Sequence, residues 1–570
     1  MTGRGVSPGG LFVSTLLALL SVLIVLPVGV LVLGSFLSEA PRALRFDWAG
    51  LTLGNYQEVV LAERFGAVLA ATLGAAFVGT LGASAIGTAL AWLAVRTDLP
   101  GRRMLDLVAV MPLFVPPLVG AFAWDILASP RSGILNIAAR SLGLPVAFNI
   151  YTFGGIGFAY AIYYAPYVYL FVAAALRNMD ATLEEAAAMS GAGRWVVFRT
   201  VTLPLVAPAL LASALLVFVL LVELFAIPAV LGEPGGLHFI AVRIWDLIGF
   251  TPPRVNQASA LGVLMLVMTV ALVLIQRHVA SRRSHVTVSG KGQRVRPVAL
   301  GGWRWALAAL GFGYLLLVVV LPYVALAFIA LRRNVFFSSL AAIGDVSQLT
   351  FEQFGVAFGD AVVMDTLWNS LAVSAGTMAV GAVLYFVVSY VVHRTRLPGR
   401  RALDLVTVLP VAIPGIIIGL GYLWSWISIP VGLYGTVWII ILAYVSQFAP
   451  QATRAIAGSL VQIHPELEES ARLSGAGLAR TVWTIVLPLA RPGVVSACIL
   501  LFVLSFRELA TALFLYTSGT QLFSLAMFDF WQRGSTGLVA VMALVQSGIL
   551  LVFVVAGQWL GARAGRDRMA

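Results

Sequence analysis

The sequence predicts an all-α integral membrane protein of about 12 transmembrane helices, arranged as two parallel six-helix repeats. The 570 residues are 60% hydrophobic and only 11% charged, whereas soluble domains carry roughly 25% charged residues. Apolar runs near or above the roughly 20 residues that a helix needs to cross a bilayer recur along the whole chain. These runs lack the alternating pattern of barrel strands, so we expect helices that satisfy their own backbone hydrogen bonds within lipid.

Six apolar segments fall in each half of the chain. The first is longer than the core of a secretory signal, so we take it as the first span. The predicted spans of the first half are Leu11–Leu33, Gly66–Val95, Met104–Leu127, Phe153–Leu176, 204–230 and 257–276. Those of the second half are 303–331, 366–392, 402–427, 436–457, 488–515 and 537–561.

The two halves repeat one pattern. RTDLPGRRMLDLVAVMP, from Arg96, matches RTRLPGRRALDLVTVLP, from Arg394, at an offset of 298 residues. LEEAAAMSGAG, from Leu183, matches LEESARLSGAG, from Leu467, at an offset of 284. The sequence thus predicts a six-helix unit at 1–276, a polar cytoplasmic linker at 277–302 and a second unit at 303–570. Because six is an even number, each unit enters and leaves on one side, so the repeats are parallel.

The net charge of +12 comes mostly from arginines in short loops. Arginine clusters follow the second, fourth and sixth spans of each half, so the positive-inside rule makes those loops and both termini cytoplasmic. Arg42, Arg45, Arg332 and Arg333 are exceptions in the opposite loops. We assign the charge to orientation in the lipid bilayer and expect no nucleic-acid partner.

The sequence carries no motif of an enzyme or a metal site. A Walker A loop needs a lysine followed by serine or threonine, but Lys291 is the only lysine and Gly292 follows it. Cys498 is the only cysteine, so one chain can form neither a disulfide nor a multi-thiolate metal site. We therefore expect no catalytic residue, no metal and no cofactor in this chain.

The polar repeats predict a helix-turn-helix elbow on the cytoplasmic side of each half. In the first copy, residues 184–189 favour a helix and either Gly191 or Gly193 can take its left-handed end. The second copy repeats the pattern up to Gly475 or Gly477. A second short helix then leads to a proline in both copies. A pair of amphipathic loops that lie on the membrane surface is the alternative.

Both elbows resemble the EAA loop of the integral-membrane subunits of binding-protein-dependent ABC importers. The matching residues are Glu185-Ala186-Ala187, Gly191 and Val201-Thr202-Leu203-Pro204, then Glu469-Ser470-Ala471, Gly475 and Ile485-Val486-Leu487-Pro488. Ser470 replaces the first alanine of the motif, and Val201 replaces the usual isoleucine. The resemblance covers essentially the whole chain and implies the type I permease fold of these importers.

In that family the elbow is a coupling helix that docks in a cleft of a cytoplasmic ATPase. The resemblance implies two copies of such an ATPase, which bind ATP and Mg²⁺, together with a periplasmic substrate-binding protein. It also implies a location in the bacterial inner membrane. The implied coupling residues are Glu184, Glu185, Ala186, Gly191, Glu468, Glu469, Ala471 and Gly475.

Ionisable side chains also occur within the fifth span of each half. Glu223 lies in one and Arg507 and Glu508 lie in the other, and the offset of 284 aligns Glu223 with Arg507. Such groups cost roughly 2.5–3.5 kcal/mol each at mid-bilayer and normally face a pathway or a partner. We expect the three to line a translocation pathway, where Glu223 and Arg507 can pair across the pseudo-twofold axis. A static ion pair or a position near the outer interface is the alternative.

The prediction of the transported solute rests on resemblance alone. The phrases LPGRRxLDxxxxxP and VTVSGKG resemble fused permeases of the ferric-iron type, which implies import of ferric iron by alternating access. Permeases for thiamine, phosphonate, sugar phosphate and polyamine are related alternatives. A secondary transporter driven by an ion gradient, with Glu223 or Glu508 as its proton carrier, is the alternative of another class.

Overall fold

The computed structural model describes residues 8–39, 48–179, 182–282, 297–337, 339–429 and 431–566. Within these ranges the chain is helical, and its only β pairing is three isolated bridges. The predicted all-α membrane fold is confirmed. Arg42, Arg45, Lys291 and the stretch 283–296 of the predicted linker lie outside the described residues.

Among the described residues the two halves contain thirteen and fourteen α-helices, in a similar but not identical order of long and short elements. The helices of the first half are α1 (Pro8–Leu20), α2 (Leu26–Ser35), α3 (Gly54–Val60), α4 (Phe65–Arg96), α5 (Arg102–Val110), α6 (Pro117–Ala128), α7 (Ile134–Ser141), α8 (Phe153–Asn178), α9 (Thr182–Met189), α10 (Arg194–Val197), α11 (Leu203–Glu223), α12 (Ile240–Gly249) and α13 (Val255–Arg282). Those of the second half are α14 (Arg304–Leu315), α15 (Leu321–Ala330), α16 (Leu340–Gly344), α17 (Glu352–Gly359), α18 (Ala361–Arg394), α19 (Arg400–Val408), α20 (Gly415–Ser428), α21 (Val437–Gln447), α22 (Ala449–Leu460), α23 (Glu466–Leu473), α24 (Leu478–Thr481), α25 (Leu487–Phe506), α26 (Phe523–Gln532) and α27 (Thr536–Arg566).

All twelve predicted segments are helical over most of their length, but three of them are bent or divided and two extend past the end of their helix. In the described part of the chain, nine helices are long and apolar enough to cross a membrane, or up to eleven with two bent pairs. The bends are 94° between α5 and α6 and 112° between α19 and α20. Each bend falls at a residue before a proline, where the α conformation is disfavoured. The predicted span 436–457 is two helices, α21 and α22, which meet at Phe448.

The predicted spans 204–230 and 488–515 extend too far. Helix α11 ends at Glu223 and α25 ends at Phe506. The chain then turns back into the bundle and forms the short helices α12 and α26. Residues 225–232 are buried by protein. An apolar stretch covered by protein has the same composition as one covered by lipid, so hydropathy does not mark where the helix ends.

The halves exchange their first helices. Helices α1 and α2 pack on α19 and α20, while α14 and α15 pack on α5 and α6. The Tyr422 hydroxyl donates to the Leu23 carbonyl at 2.8 Å, and the Tyr314 hydroxyl donates to the Ile162 carbonyl at 2.7 Å. A Cβ at Gly421 would lie 2.5 Å from the Pro27 carbonyl oxygen, so this crossing depends on glycine. The two halves therefore form one interlocked bundle.

The segment between the halves lies against the end of α4. Helix α13 continues to Arg282, six residues beyond the predicted boundary at 276. The Val298 amide donates to the Arg96 carbonyl at 2.8 Å, and the Leu300 amide donates to Asp98 at 2.8 Å. The division into 1–276, 277–302 and 303–570 stays a prediction.

Candidate functional site

Each half carries an elbow of the same backbone conformation, α9–α10 in the first and α23–α24 in the second. Helix α9 is followed by Gly191 with φ +85°, and α23 is followed by Gly475 with φ +80°. The amide after each glycine donates to the carbonyl five residues earlier, at 3.2 Å in the first elbow and 3.0 Å in the second. This bond closes a Schellman-type helix end. Of the alternatives that the sequence left open, Gly191 and Gly475 supply the left-handed residue.

The first elbow is tied to the end of α4 by a charged contact. Arg96, the last residue of α4, is 1% exposed, and its Nη1 lies 3.5 Å from Oε2 of Glu184. The other carboxylate oxygen of Glu184 accepts a hydrogen bond from Thr202 at 2.5 Å. Arg96 also donates to the Met179 carbonyl at 3.5 Å. One carboxylate thus connects α4, α9 and the entry to α11.

The second elbow repeats this contact at shorter distances. Arg394, the last residue of α18, places its Nη2 and Nε 2.6 Å and 2.7 Å from Oε1 of Glu468. The Tyr390 hydroxyl donates to Oε2 at 3.0 Å, and Arg394 donates to the Ile463 carbonyl at 2.7 Å. Two N–H groups of Arg394 thus converge on one carboxylate oxygen, and charge-assisted hydrogen bonds of this kind are short and strong. The offsets of 298 and 284 residues align Arg394 with Arg96, Glu468 with Glu184 and Ile463 with Met179. The Tyr390 and Thr202 contacts are not repeated, because the aligned residues are Trp92 and Val486.

The buried glutamate of each elbow is the one that precedes the motif glutamate. Glu184 and Glu468 face the bundle, whereas Glu185 and Glu469 are exposed. Ala186 is exposed as well. The sequence analysis named both glutamates of each pair but missed the arginines that bind them. The signal was present, because those arginines open the repeated phrase RTxLPGRR, but their charge was assigned to membrane orientation.

Each elbow joins its long helix through a turn of π-helix. The turns span Phe198–Thr202 and Val482–Val486, and each precedes a Leu-Pro pair. Pro204 and Pro488 have no amide hydrogen, so the carbonyl four residues earlier loses its α-helical donor. The amide just before each proline instead bonds to the carbonyl five residues back. The joint between elbow and helix is therefore a local weak point of the backbone.

The outer face of both elbows presents apolar side chains to solvent. Met189 is 90% exposed and its counterpart Leu473 is 91% exposed. Leu183 and Leu467, which also align with each other, are about half exposed. Exposed apolar patches are typical of surfaces that contact another protein or a membrane.

Arg507 contacts a backbone carbonyl in the opposite half. It follows the last residue of α25, and its Nη1 donates to the Leu113 carbonyl at 2.8 Å. In a continuous helix that carbonyl would accept from residue 117, but Pro117 has no amide hydrogen. The kink between α5 and α6 thus frees an acceptor within the bundle, and the guanidinium satisfies it.

Glu223 and Glu508 lie close to this contact but do not pair with Arg507. Oε1 of Glu508 accepts from the Thr511 amide at 3.1 Å and from its hydroxyl at 3.2 Å. Oε1 of Glu223, at the end of α11, is enclosed without a hydrogen-bond partner. Glu223, Arg507 and Glu508 all lie near enough to the Tyr164 hydroxyl for their charges to interact with it. Among the described residues no ion pair joins Glu223 to Arg507, and this part of the expectation is wrong. The pathway role of the three stays a prediction.

Aromatic side chains from α12 and α26 meet between the halves. Trp245 and Phe528, which align at an offset of 283 residues, have ring centroids 5.7 Å apart. Phe225 contacts Phe528 at 5.8 Å. Asp125 of the first half accepts from Trp531 of the second at 3.1 Å. The sequence patterns did not predict this aromatic contact, because both short helices lie between predicted spans, after 204–230 and after 488–515.

Within the described ranges, no three His, Cys, Asp or Glu side chains come together as metal ligands. The expectation of a chain without a metal or cofactor stays a prediction.

Comparison with known proteins finds matches to both halves. A family model described as "Binding-protein-dependent transport system inner membrane component" matches residues 83–285 and again residues 387–566. These two matches cover about two thirds of the chain.

The chain is 28% identical to the ferric transport system permease protein FbpB of Actinobacillus pleuropneumoniae, over 81% of this chain and 66% of that protein. It is also 28% identical to the putative ferric transport system permease protein FbpB 1 of Haemophilus influenzae, over 76% of this chain and 66% of that protein. It therefore matches just under two thirds of the length of each. The molybdenum transport system permease protein ModB of Escherichia coli is 31% identical over 33% of this chain and 82% of its own length.

Among solved structures, a bacterial ABC transporter involved in the import of the acidic polysaccharide alginate is similar over 45% of this chain and 94% of that chain, with 16% identity and a TM-score of 0.38.

Proposed function

This chain belongs to the family of binding-protein-dependent transport system inner membrane components, and we propose that it is the membrane-spanning subunit of an ATP-driven importer. In this proposal both elbows and both termini face the cytoplasm. A solute delivered by a periplasmic binding protein passes between the two halves. The chain hydrolyses no ATP itself, because two copies of a separate ATPase bind ATP and Mg²⁺ and supply the energy.

The observation that carries the proposal is the double elbow. Two copies of one short helix end in a left-handed glycine, bind to a long helix through an arginine and expose an apolar tip at Met189 or Leu473. A single loop of this kind could simply rest on the membrane surface. Two copies with matching contacts suit a partner that binds twice, such as a dimeric ATPase.

The contacts also suggest how force reaches the bundle. Arg96 and Arg394 tie the elbows to α4 and α18, while the proline joints at Pro204 and Pro488 connect them to α11 and α25. A push on an elbow therefore moves one long helix directly and flexes the joint to another. Helices α11 and α25 end near Glu223 and Arg507, in the region that we propose lines the pathway. ATP binding then opens that region to the outside, and hydrolysis returns it inward.

We propose ferric iron as the cargo, because the relatives named for ferric transport match up to 81% of this chain. The three acidic and basic side chains of the proposed pathway suit a charged solute. Selection itself is expected from the binding protein, so the pathway need not hold a ferric cage.

The proposal is tested with proteoliposomes that contain the full chain, its ATPase and its binding protein. We expect accumulation of radioactive ferric iron only when all three proteins and ATP are present. Accumulation by the chain alone under a proton gradient would overturn it in favour of a secondary transporter. Competition by thiamine, phosphonate, sugar phosphate or polyamine, with no iron uptake, would reject the cargo and keep the ATP-driven mechanism.

A further inference from the structure

A cavity of about 390 Å³ opens on the face opposite the elbows. Helix α4 has 32 residues and is about 48 Å long. Its last residue, Arg96, contacts the first elbow, so its first residue, Phe65, lies on the other side of the membrane. The cavity lies among α3, the start of α4, α12 and the start of α13, and three arginines line it: Arg64, Arg243 and Arg254. We call it the arginine pocket.

The charges of the arginine pocket are poorly compensated. Among the described residues, none of its three guanidinium groups has a carboxylate within 4.0 Å. Glu58 is the one acidic residue in the lining, and it accepts a hydrogen bond from Gln257. Asp246 lies close enough to Arg243 for their charges to interact. Three positive charges against Glu58 in the lining and Asp246 beside it leave the pocket with a net positive charge.

Phe250 holds two of the arginines in place. The guanidinium carbon of Arg254 lies 4.8 Å from the centre of its ring, and that of Arg243 lies 5.8 Å from it. A cation over an aromatic face is attracted to the ring and loses rotational freedom. The two groups are therefore fixed before any ligand arrives, which lowers the entropic cost of binding.

Other arginines on this face have structural partners. Arg332 donates to the carbonyls of Ala342, Ile343 and Asp345, and Arg333 pairs with Glu352 at 2.9 Å. The pocket arginines have no such partner among the described residues. The pocket is also absent from the repeat, because the residue that aligns with Arg243 is Ala526. The two halves share their fold and their orientation, so neither explains why the three arginines occur in only one half.

We propose that the arginine pocket receives acidic side chains of the soluble binding protein when that protein docks. The inference rests on the proposed function, which puts this face in the periplasm. The pocket volume suits one or two carboxylate side chains, and guanidinium groups bind carboxylates at two points. Helix α12 contributes Arg243 to the lining of the pocket and Trp245 to the aromatic contact with Phe528 between the halves. Docking at this pocket therefore acts on the same helix that forms the contact between the halves.

The test compares the double charge reversal Arg243→Glu with Arg254→Glu against Arg131→Glu, an exposed arginine on the same face. The full chain is assembled with its ATPase in nanodiscs, and the dissociation constant of the binding protein is measured at 50 and 300 mM NaCl. We expect the double variant to bind about tenfold or more weakly at low salt, with a smaller difference at high salt, because salt screens exposed charges. Arg131→Glu should stay within about twofold of wild type. Unchanged ATPase assembly shows that the double variant is folded.

The outcomes distinguish failure of the proposed function from failure of the inference about the arginine pocket. If the binding protein fails to bind the wild-type complex, the proposed function fails. If wild type binds and the double variant binds equally well, the arginine pocket is not the docking site. The measurement is repeated in nanodiscs without anionic lipid. If the effect of the double variant disappears there, the pocket holds a lipid headgroup and the inference is overturned.

Discussion

Arg394 holds Glu468 at 2.6 Å, whereas the equivalent Arg96 lies 3.5 Å from Glu184. Glu468 is 6% exposed and Glu184 is 18% exposed. Tyr390 donates a further hydrogen bond to Glu468. The two elbows share one design, but the second is attached to the bundle more firmly than the first.

Arg394→Gln should destabilise the protein more than Arg96→Gln. Loss of one partner from a buried ion pair costs up to about 3–5 kcal/mol, and without Arg394 the nearest cation to Glu468 is Arg472 at 3.8 Å. Arg96 is also buried, but its contact with Glu184 is longer, and without Arg96 the carboxylate is still 18% exposed and keeps its hydrogen bond from Thr202, so we expect a smaller loss. Unfolding by SDS, followed by tryptophan fluorescence, measures both variants. Equal losses of stability in the two variants would show that the shorter contact in the second elbow contributes no additional stability.

Gly475→Ala should weaken ATPase binding, while Gly477→Ala should have little effect. Gly475 has φ +80°, where a side chain costs about 1–2 kcal/mol. Gly477 has φ −69°, and a Cβ at either position meets no atom within 4 Å. The two variants therefore differ only in backbone strain. Co-purification of the ATPase with each variant checks this, and equal yields would count against a required left-handed turn.

Met189→Ser combined with Leu473→Ser should weaken ATPase binding at least about tenfold without destabilising the chain. Both side chains are almost fully exposed, so the folded chain alone gains little from them. A partner that buries each apolar side chain gains roughly 1.5–3 kcal/mol per residue. Leu61→Ser, at a residue that is 80% exposed on the opposite face, is the control. If the control weakens ATPase binding equally, the elbow tips are not the docking surface.

The elbows could be predicted from sequence because their signals are local. A glycine after a short helix, repeated twice at fixed spacing, predicts the turn without knowledge of the rest of the fold. The Arg96 contact was missed because its partner Glu184 lies 88 residues away, and no local pattern joins two residues at that separation. The ends of α11 and α25 were missed for a different reason. The apolar residues that follow them are covered by protein and not by lipid, and composition is the same in both cases.

Pro204→Ala and Pro488→Ala should stiffen the joints between elbows and long helices. Alanine restores an amide hydrogen, so the carbonyl four residues earlier regains its α-helical donor and the π turn can close. Hydrogen exchange of residues 198–203 and 482–487 should slow, and ATP-dependent uptake should fall. Pro208→Ala, inside α11 but not preceded by a π turn, is the matched control. Faster exchange at the altered joints would contradict a hinge set by proline.

Arg507→Leu should abolish uptake without loss of assembly with the ATPase. The variant removes a charge from the proposed pathway, but it also leaves the Leu113 carbonyl without a donor, which costs about 1–3 kcal/mol. These effects are separated with Arg507→Gln, which removes the charge but keeps an N–H donor for the Leu113 carbonyl. If the charge of Arg507 acts on the solute, Arg507→Gln keeps the stability of wild type in SDS but still transports nothing. Normal uptake in Arg507→Gln would show that Arg507 only satisfies the kink, and normal uptake in Arg507→Leu would refute a pathway role altogether.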